Sequence, residues 1–325
     1  MASSIPATFK QYQYTRFGPV DQVWELATVP QKVLKSTFIR IKVASAALNP
    51  IDYKFAEYGA LWLDYAPTEE KPFVVGLDAA GTVVEVGADV TSLKVGDEVY
   101  TRTPTDTLGA VAEYIVLDSQ SVARKPTNLS FQDAAGIPLA GLTSYQSLFT
   151  HANLKAGEKV LILGGSSGTG TFAIQFAKAI GAHVIATASH RNMDLVKSLG
   201  ADQVIDYTTN KWADVLIKHS IDVIYDCGFE PQAWNDEAQK ILKQNVGRFV
   251  TLAPIKNAIE SPIGAKSAVC LVYTSVDHLD VITEWAESGK VKTVIDQVYP
   301  FEDVIEAINK VKSGRVVGKI IITVA

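Results

Sequence analysis

The stretch from Lys159 to Ile180 constrains the fold of this chain more than any other. Lys159-Val-Leu-Ile-Leu163 is a short, unbroken apolar run, as a strand buried on both faces of a parallel sheet requires. Gly164-Gly-Ser-Ser-Gly-Thr-Gly170 follows. The pattern then takes a helical period, with Ala173, Ile174, Phe176, Ala177 and Ile180 apolar and Gln175 and Lys178 polar. Gly181 stands where such a helix would be capped. A strand, a glycine turn and a helix in this order present free N–H groups and a positive dipole end, which suit a pyrophosphate. The match to G-x-G-x-x-G is imperfect: aligned on Gly170, its positions are Gly165, Ser167 and Gly170. Gly165, Ser166, Ser167, Gly168, Thr169 and Gly170 are the candidate cofactor residues; the alternative is an unoccupied structural turn.

The flanks extend the pattern. Before the turn, Phe38 to Ala44, Thr82 to Val86, Glu98 to Thr101 and Ala112 to Leu117 read as short strands, punctuated by Gly76, Gly81, Gly87, Gly96 and Gly109. That predicts a β-rich first unit. After it, strand-like runs at His183–Thr187, Gln203–Asp206, Ile221–Asp226, Gly247–Leu252 and Ala268–Tyr273 alternate with helical stretches such as Met193–Leu199. Strands alternating with helices predict an α/β, doubly wound parallel sheet. Leu279–Glu287 and Phe301–Lys312 read as helices, and Lys319–Val324 as a closing strand.

Composition narrows the function classes. The 325 residues are 47% hydrophobic and 20% charged, enough for a sizeable core. The formal net charge of -5 argues against a dedicated nucleic-acid binder, which usually carries a basic face, and leaves local basic patches open. Two cysteines, Cys227 and Cys270, exclude a disulfide scaffold and a four-cysteine zinc lobe; both lie in apolar runs and read as buried hydrophobes. No apolar run reaches 18 residues, so no membrane helix is expected. Met1 to Lys10 lacks a basic flank followed by an apolar core. A cytoplasmic protein is expected.

The turn leaves the choice of dinucleotide open; the next loop bears on it. An NAD site carries Asp or Glu about 20 residues on, for the ribose 2′-hydroxyl. Here the place reads Thr187-Ala-Ser-His-Arg-Asn192, with no carboxylate before Asp194. Ser189 and Arg191 offer a hydroxyl and a permanent cation, which suit a 2′-phosphate, and Tyr207 could add a second hydroxyl. NADPH is therefore expected; a solvated polar loop is the alternative. Tyr207 and Lys211 also fit Y-x-x-x-K, the catalytic pair of short-chain dehydrogenases. Those enzymes begin with their glycine turn and place the pair much later, so a catalytic role here is rejected.

Several ordered motifs then carry a resemblance over nearly the whole length. They are Ala47-Leu-Asn-Pro-Ile-Asp-Tyr-Lys54, Val75-Gly-Leu-Asp-Ala-Ala-Gly-Thr-Val83, Val95-Gly-Asp-Glu-Val99, Gly109-Ala-Val-Ala-Glu-Tyr-Ile-Val116, Gly136-Ile-Pro-Leu-Ala-Gly-Leu-Thr-Ser-Tyr145 and Gly318-Lys-Ile-Ile-Ile322. In these the chain resembles the zinc-free quinone oxidoreductase branch of the medium-chain dehydrogenase/reductase superfamily. The resemblance implies a GroES-like β catalytic domain over 1–129 and 285–325 and a Rossmann NADPH-binding domain over 130–284. It also implies Thr143 and Lys319 as cofactor contacts, and a homodimer joined through the apolar edge strand Ala268–Tyr273.

The same resemblance bears on metal. Zinc relatives place Cys where Asn49 stands and His-Glu where this chain has Leu77-Asp78, and no Cys or His lies at Pro138 to Ala140. A catalytic zinc needs three protein ligands, so no metal is expected. Without one, an already electrophilic conjugated carbonyl is the easier hydride acceptor, and the family implies NADPH reducing a quinone or the β-carbon of an enone or alkenal. The developing oxyanion needs donors. Asn49, Tyr53 and Lys54 lie where the family lines its cleft and are the candidate catalytic residues. Their alternatives are a turn-shaping Asn before Pro50, a packed ring and a surface charge. Tyr58, Leu61 and Trp62 are candidates to face an apolar substrate; a plain structural role is the equal alternative. Two other functions compete: an enoyl-thioester reductase, and a catalytically idle NADPH-binding protein.

Overall fold

The computed structural model describes residues 5–61, 63–104 and 109–325. Two units emerge. The first takes Met1–Leu139, Tyr273–Glu287 and Ile295–Ala325, and the second takes Ala140–Val272 and Ser288–Val294.

In chain order the first unit contributes β1 (Thr8–Tyr14), β2 (Glu25–Pro30), β3 (Phe38–Leu48), β4 (Phe73–Val74), β5 (Asp78–Val86), β6 (Glu98–Arg102), β7 (Tyr114–Asp118) and β8 (Ala123–Arg124). The second contributes β9 (Lys159–Leu163), β10 (His183–Ala188), β11 (Gln203–Asp206), β12 (Val223–Asp226), β13 (Arg248–Thr251) and β14 (Lys266–Val269). The chain then returns to the first with β15 (Ile295–Pro300) and β16 (Lys319–Thr323).

The first unit is β-rich, as its Gly-punctuated runs predict. One sheet has the order β2-β1-β4; the other has β15-β16-β3-β5-β6-β8, with β7 also on β3. Strand β3 holds the larger sheet together because Phe38-Ile-Arg-Ile-Lys-Val buries Ile39, Ile41 and Val43 completely or nearly so. These pack with Val83, Val99, Ile320 and Ile322 in one core. A fully buried side chain of this kind stabilises by roughly 1.5–3 kcal/mol. Strand β3 runs four residues beyond the expected Ala44, to Leu48, where it pairs with β16 through Leu48↔Ile320. That register brings the start of β16 beside Asn49.

The second unit is a six-stranded parallel sheet ordered β11-β10-β9-β12-β13-β14. The chain runs from β9 outward to β10 and β11, then crosses back to β12 on the other side of β9. The carboxyl ends of β9 and β12 therefore mark a topological switch point, where doubly wound sheets bind their ligands. Strand β14 corrects an expectation. It spans Lys266–Val269 rather than Ala268–Tyr273, with Lys266 and Ser267 exposed, so it is not apolar throughout. Cys270 is buried just beyond it, while Leu271 and Tyr273 are exposed. Among the described residues no helix is long and apolar enough to cross a membrane.

Candidate functional site

In the second unit, the turn after β9 sits at the switch point and is built by local necessity. Gly164 has φ +85°, and a Cβ there would come within 2.9 Å of the Gly228 Cα just past β12. A Cβ on Gly170 would lie 2.1 Å from the Gly164 carbonyl oxygen, so only glycine fits. The Gly165 N–H donates to the Thr187 carbonyl at 2.8 Å, tying the turn to β10. Ser167, the departure from the glycine pattern, caps the helix Gly168–Ala179: its hydroxyl accepts from the Gly170 N–H at 3.0 Å. The first N–H groups of a helix have no partner one turn back; here they belong to Gly168 and Thr169. Thr143 is buried on the helix Pro138–Tyr145 in the same unit. Beside it, Ser144 Oγ donates to the Thr169 carbonyl at 2.7 Å.

The loop after β10 carries Ser189, half-buried, and Arg191, exposed. Asn192 Nδ2 donates to Ser166 Oγ at 3.1 Å and fastens this loop to the glycine turn. Tyr207, 57% exposed, follows β11. The structure thus gathers Ser166, Ser189, Arg191 and Tyr207 at the carboxyl ends of adjacent strands. It also reveals two residues that sequence reasoning passed over. His190 Nδ1 faces Asp206 Oδ2 at 3.4 Å. Asp206 closes β11 opposite Ala188, and hydrogen bonds from Thr208, with His190 nearby, hold its carboxyl below the usual range. The β10–β11 register would have revealed this pairing; linear spacing could not.

The first unit holds a buried polar cluster where β3, β5 and β16 meet. Asn49, Asp52, Asp78, Arg102 and Lys319 are all buried, Asp78 completely. Asn49 begins the helix Pro50–Tyr58, and its N–H donates to Asp52 Oδ2 at 2.7 Å. Its side chain turns away from the helix: Nδ2 donates to Asp78 Oδ2 at 2.9 Å, and Oδ1 accepts from Lys319 Nζ. Lys319 also reaches Asp78 Oδ2 at 3.3 Å. Asp78 Oδ1 accepts the Leu139 N–H at 2.7 Å. Burial raises the pKa of both carboxyls, to about 7 for Asp52, where the Asn49 N–H is the largest opposing influence. For Asp78 the Lys319 ammonium opposes the rise most strongly.

Lys319, expected beside the cofactor, lies in this cluster. Tyr53 and Lys54 are half-buried on the helix that Asn49 begins. Lys312 Nζ sits 5.7 Å from the Tyr53 ring centroid. Burial raises the Tyr53 pKa, with Tyr58 and Glu57 adding to it, and lowers that of Lys54. Tyr58 and Leu61 are exposed; Trp62 lies outside the described residues. Among the described residues no group of three or more His, Cys, Asp or Glu could hold a metal ion. Cys227 and Cys270 are buried, and burial pushes the Cys227 thiol up to about 12.

Comparison with known proteins agrees with these features. Residues 35–127 match the alcohol dehydrogenase GroES-like domain family, and residues 199–322 the zinc-binding dehydrogenase family. A 2-methylene-furan-3-one reductase of Solanum lycopersicum is 37% identical over 329 residues, spanning 98% of this chain and 80% of that protein. A chloroplastic NADPH-dependent alkenal/one oxidoreductase of Arabidopsis thaliana is 35% identical over 330 residues, spanning 98% and 81%. The solved quinone oxidoreductase from Coxiella burnetii aligns with a TM-score of 0.84 at 28% identity, over 98% of this chain and 100% of that one. The chain belongs to the medium-chain dehydrogenase/reductase superfamily, in its zinc-independent quinone and alkenal oxidoreductase branch.

Proposed function

We propose that the chain is an NADPH-preferring, zinc-independent reductase that delivers hydride to a quinone or to the β-carbon of an α,β-unsaturated carbonyl. One observation carries the reading: a glycine turn at the switch point of a doubly wound sheet, in a chain whose relatives are named for reducing conjugated carbonyls and quinones. The nicotinamide cofactor supplies the hydride when bound; the protein supplies orientation and electrostatics.

Gly165 to Gly170 cradle the pyrophosphate, and Thr143 flanks it. Ser189, Arg191 and Tyr207 take the 2′-phosphate. In the first unit, Asn49, Tyr53 and Lys54 are the segment that serves the acceptor carbonyl. Asn49 acts there by positioning, since Asp78 and Lys319 already engage its amide. The decisive experiment is a panel of 1,4-benzoquinones, 2-alkenals and crotonyl-CoA with NADPH and NADH. Turnover of quinone or alkenal with NADPH supports the reading. Preference for crotonyl-CoA shifts it to an enoyl-thioester reductase, and turnover of none marks an idle nucleotide binder.

The chain also pairs with a second copy. Strand β14 is the outer edge of the parallel sheet, and Leu271, 80% exposed, follows it. An uncovered edge is a template for pairing, and a two-fold axis there continues the sheet through a dimer. Light scattering at a mass near that of one chain, unchanged with concentration, would exclude the dimer.

A further inference from the structure

We propose that Glu230 reads the 6-amino group of the cofactor's adenine, in a groove it lines together with Tyr207, Trp212 and Phe229, so that the chain selects its dinucleotide by base. This rests on the proposed cofactor reading and adds a specificity-determining residue to it. The groove has a volume of about 510 Å³ and lies wholly within the second unit. Its lining comes from the segment after β11, with Tyr207 and Trp212, and from the segment after β12, with Phe229, Glu230 and Pro231. Both segments touch the nucleotide loops already described. The Tyr207 N–H donates to the Ala188 carbonyl at 3.1 Å, one residue before Ser189. Gly228, one residue before Phe229, lies so close to Gly164 that a Cβ on the latter would meet it at 2.9 Å. The groove is thus next to both the turn assigned to the pyrophosphate and the loop assigned to the 2′-phosphate, within reach of the base of the same nucleotide.

Its lining suits a flat heteroaromatic ring that bears an amino group. Trp212 is buried, while Tyr207 and Phe229 are 57% and 53% exposed, so aromatic faces are open to a ligand. Bases stack on such faces whatever their edges carry. Phe229 has φ +65°, where a bulky side chain is strained unless its surroundings hold it. Asp226 holds it: Oδ1 accepts the N–H groups of Gly228 at 3.1 Å and Glu230 at 2.9 Å, on either side of Phe229, and Oδ2 accepts from Thr251 Oγ1 at 2.8 Å. Selectivity falls to Glu230. Its Oε2 accepts the Trp212 ring N–H at 3.3 Å, and among the described residues nothing donates to Oε1. Burial raises the Glu230 pKa, opposed by the Trp212 hydrogen bond, so this acceptor is less well served by water than one on open surface. An ionised carboxylate only accepts. Adenine offers it an amino donor at C6, whereas hypoxanthine presents a carbonyl oxygen at the same place.

The test measures binding, through the fluorescence of the reduced nicotinamide, of NADPH and of its analogue with hypoxanthine in place of adenine. The unmutated protein is compared with Glu230→Gln, Glu237→Gln and Phe229→Gly, each checked for melting temperature. Glu237 is the other carboxyl lining the groove. The unmutated protein should bind NADPH more tightly than the analogue by roughly tenfold or more. Glu230→Gln keeps an oxygen for the Trp212 N–H and gains an amide donor, so the preference for adenine should vanish or reverse. Glu237→Gln should leave the ratio unchanged. Phe229→Gly should weaken both ligands roughly fivefold or more, with the melting temperature held because glycine relieves the left-handed backbone. Equal affinity for the two ligands in the unmutated protein overturns the inference. So does a ratio that survives Glu230→Gln or follows Glu237, and so do unchanged affinities in Phe229→Gly, which would put the base elsewhere. If NADPH itself does not bind, the cofactor reading fails and this inference with it; if it binds without discrimination, that reading stands and this inference alone falls.

Discussion

Gly170 lies so close to Gly164 that a methyl group on the former would sit 2.1 Å from the carbonyl oxygen of the latter. The contact is with backbone at the mouth of β9, so no side chain can swing away to relieve it. Gly170→Ala must open the turn, separating the Ser167 cap from the N–H it accepts. NADPH binding followed by fluorescence should be lost or weakened at least tenfold, and the melting temperature should drop. An unchanged affinity would show that the turn does not hold the cofactor.

Cofactor choice should follow the loop after β10. A charge-assisted hydrogen bond is worth about 1.5–3 kcal/mol, so Arg191→Ala should raise the Michaelis constant for NADPH roughly tenfold to a hundredfold and leave that for NADH nearly unchanged. Equal use of both cofactors by the unmutated protein would contradict the assignment. Asp206 sharpens the comparison, because a carboxylate sits one strand away, facing His190. Removing the His190 ring should also favour NADH.

Stability should depend on pH through Asp52. Its pKa is about 7 in the folded protein against an ordinary value of 3.8. A carboxyl raised on folding stabilises fully below its unfolded pKa, and that contribution is lost as pH rises through the folded value. Asp52→Asn keeps an oxygen to accept the Asn49 N–H and cannot ionise. Its melting temperature should gain on the unmutated protein between about pH 4 and pH 7. Parallel melting curves across that window would contradict the burial argument.

Metal removal should change nothing. By the resemblance, Asn49 and Leu77 stand where zinc relatives carry ligands and cannot replace them, and three ligands are needed. Protein purified without added zinc should contain well under one equivalent, and a chelator should leave turnover unaltered. Tightly held stoichiometric zinc would refute this.

Much of the second unit could be read directly from the residues, because parallel strands buried on both faces write unbroken apolar runs such as Lys159–Leu163. The first unit was less legible. Strand β2 buries little of itself, alternating between exposed and half-buried residues, so it leaves no apolar signature. Strand β14 misled because apolar residues continue past its end, and only the pairing with β13 fixes where the ladder stops. The turn residues of the candidate site were visible as a motif. The polar cluster was not, since Lys319 and Asn49 meet only through the pairing of β16 with β3, and Asp78 stood out only as the residue beside a lost ligand position.

That same pairing sets an order of events at the ribosome. All six parallel strands lie between Lys159 and Val269, so they can pair as one continuous stretch as soon as it emerges. The β-rich unit cannot close then. Strand β3 waits for β16, synthesised about 270 residues later, and until it arrives β7 covers only the Phe38–Lys42 part of that edge, the Ser45–Leu48 end is bare, and the carboxyl of Asp78 lacks its lysine. Stalled or shortened chains ending before Lys319 should therefore present a finished nucleotide-binding half on an open, aggregation-prone β half, making such fragments clients for chaperones.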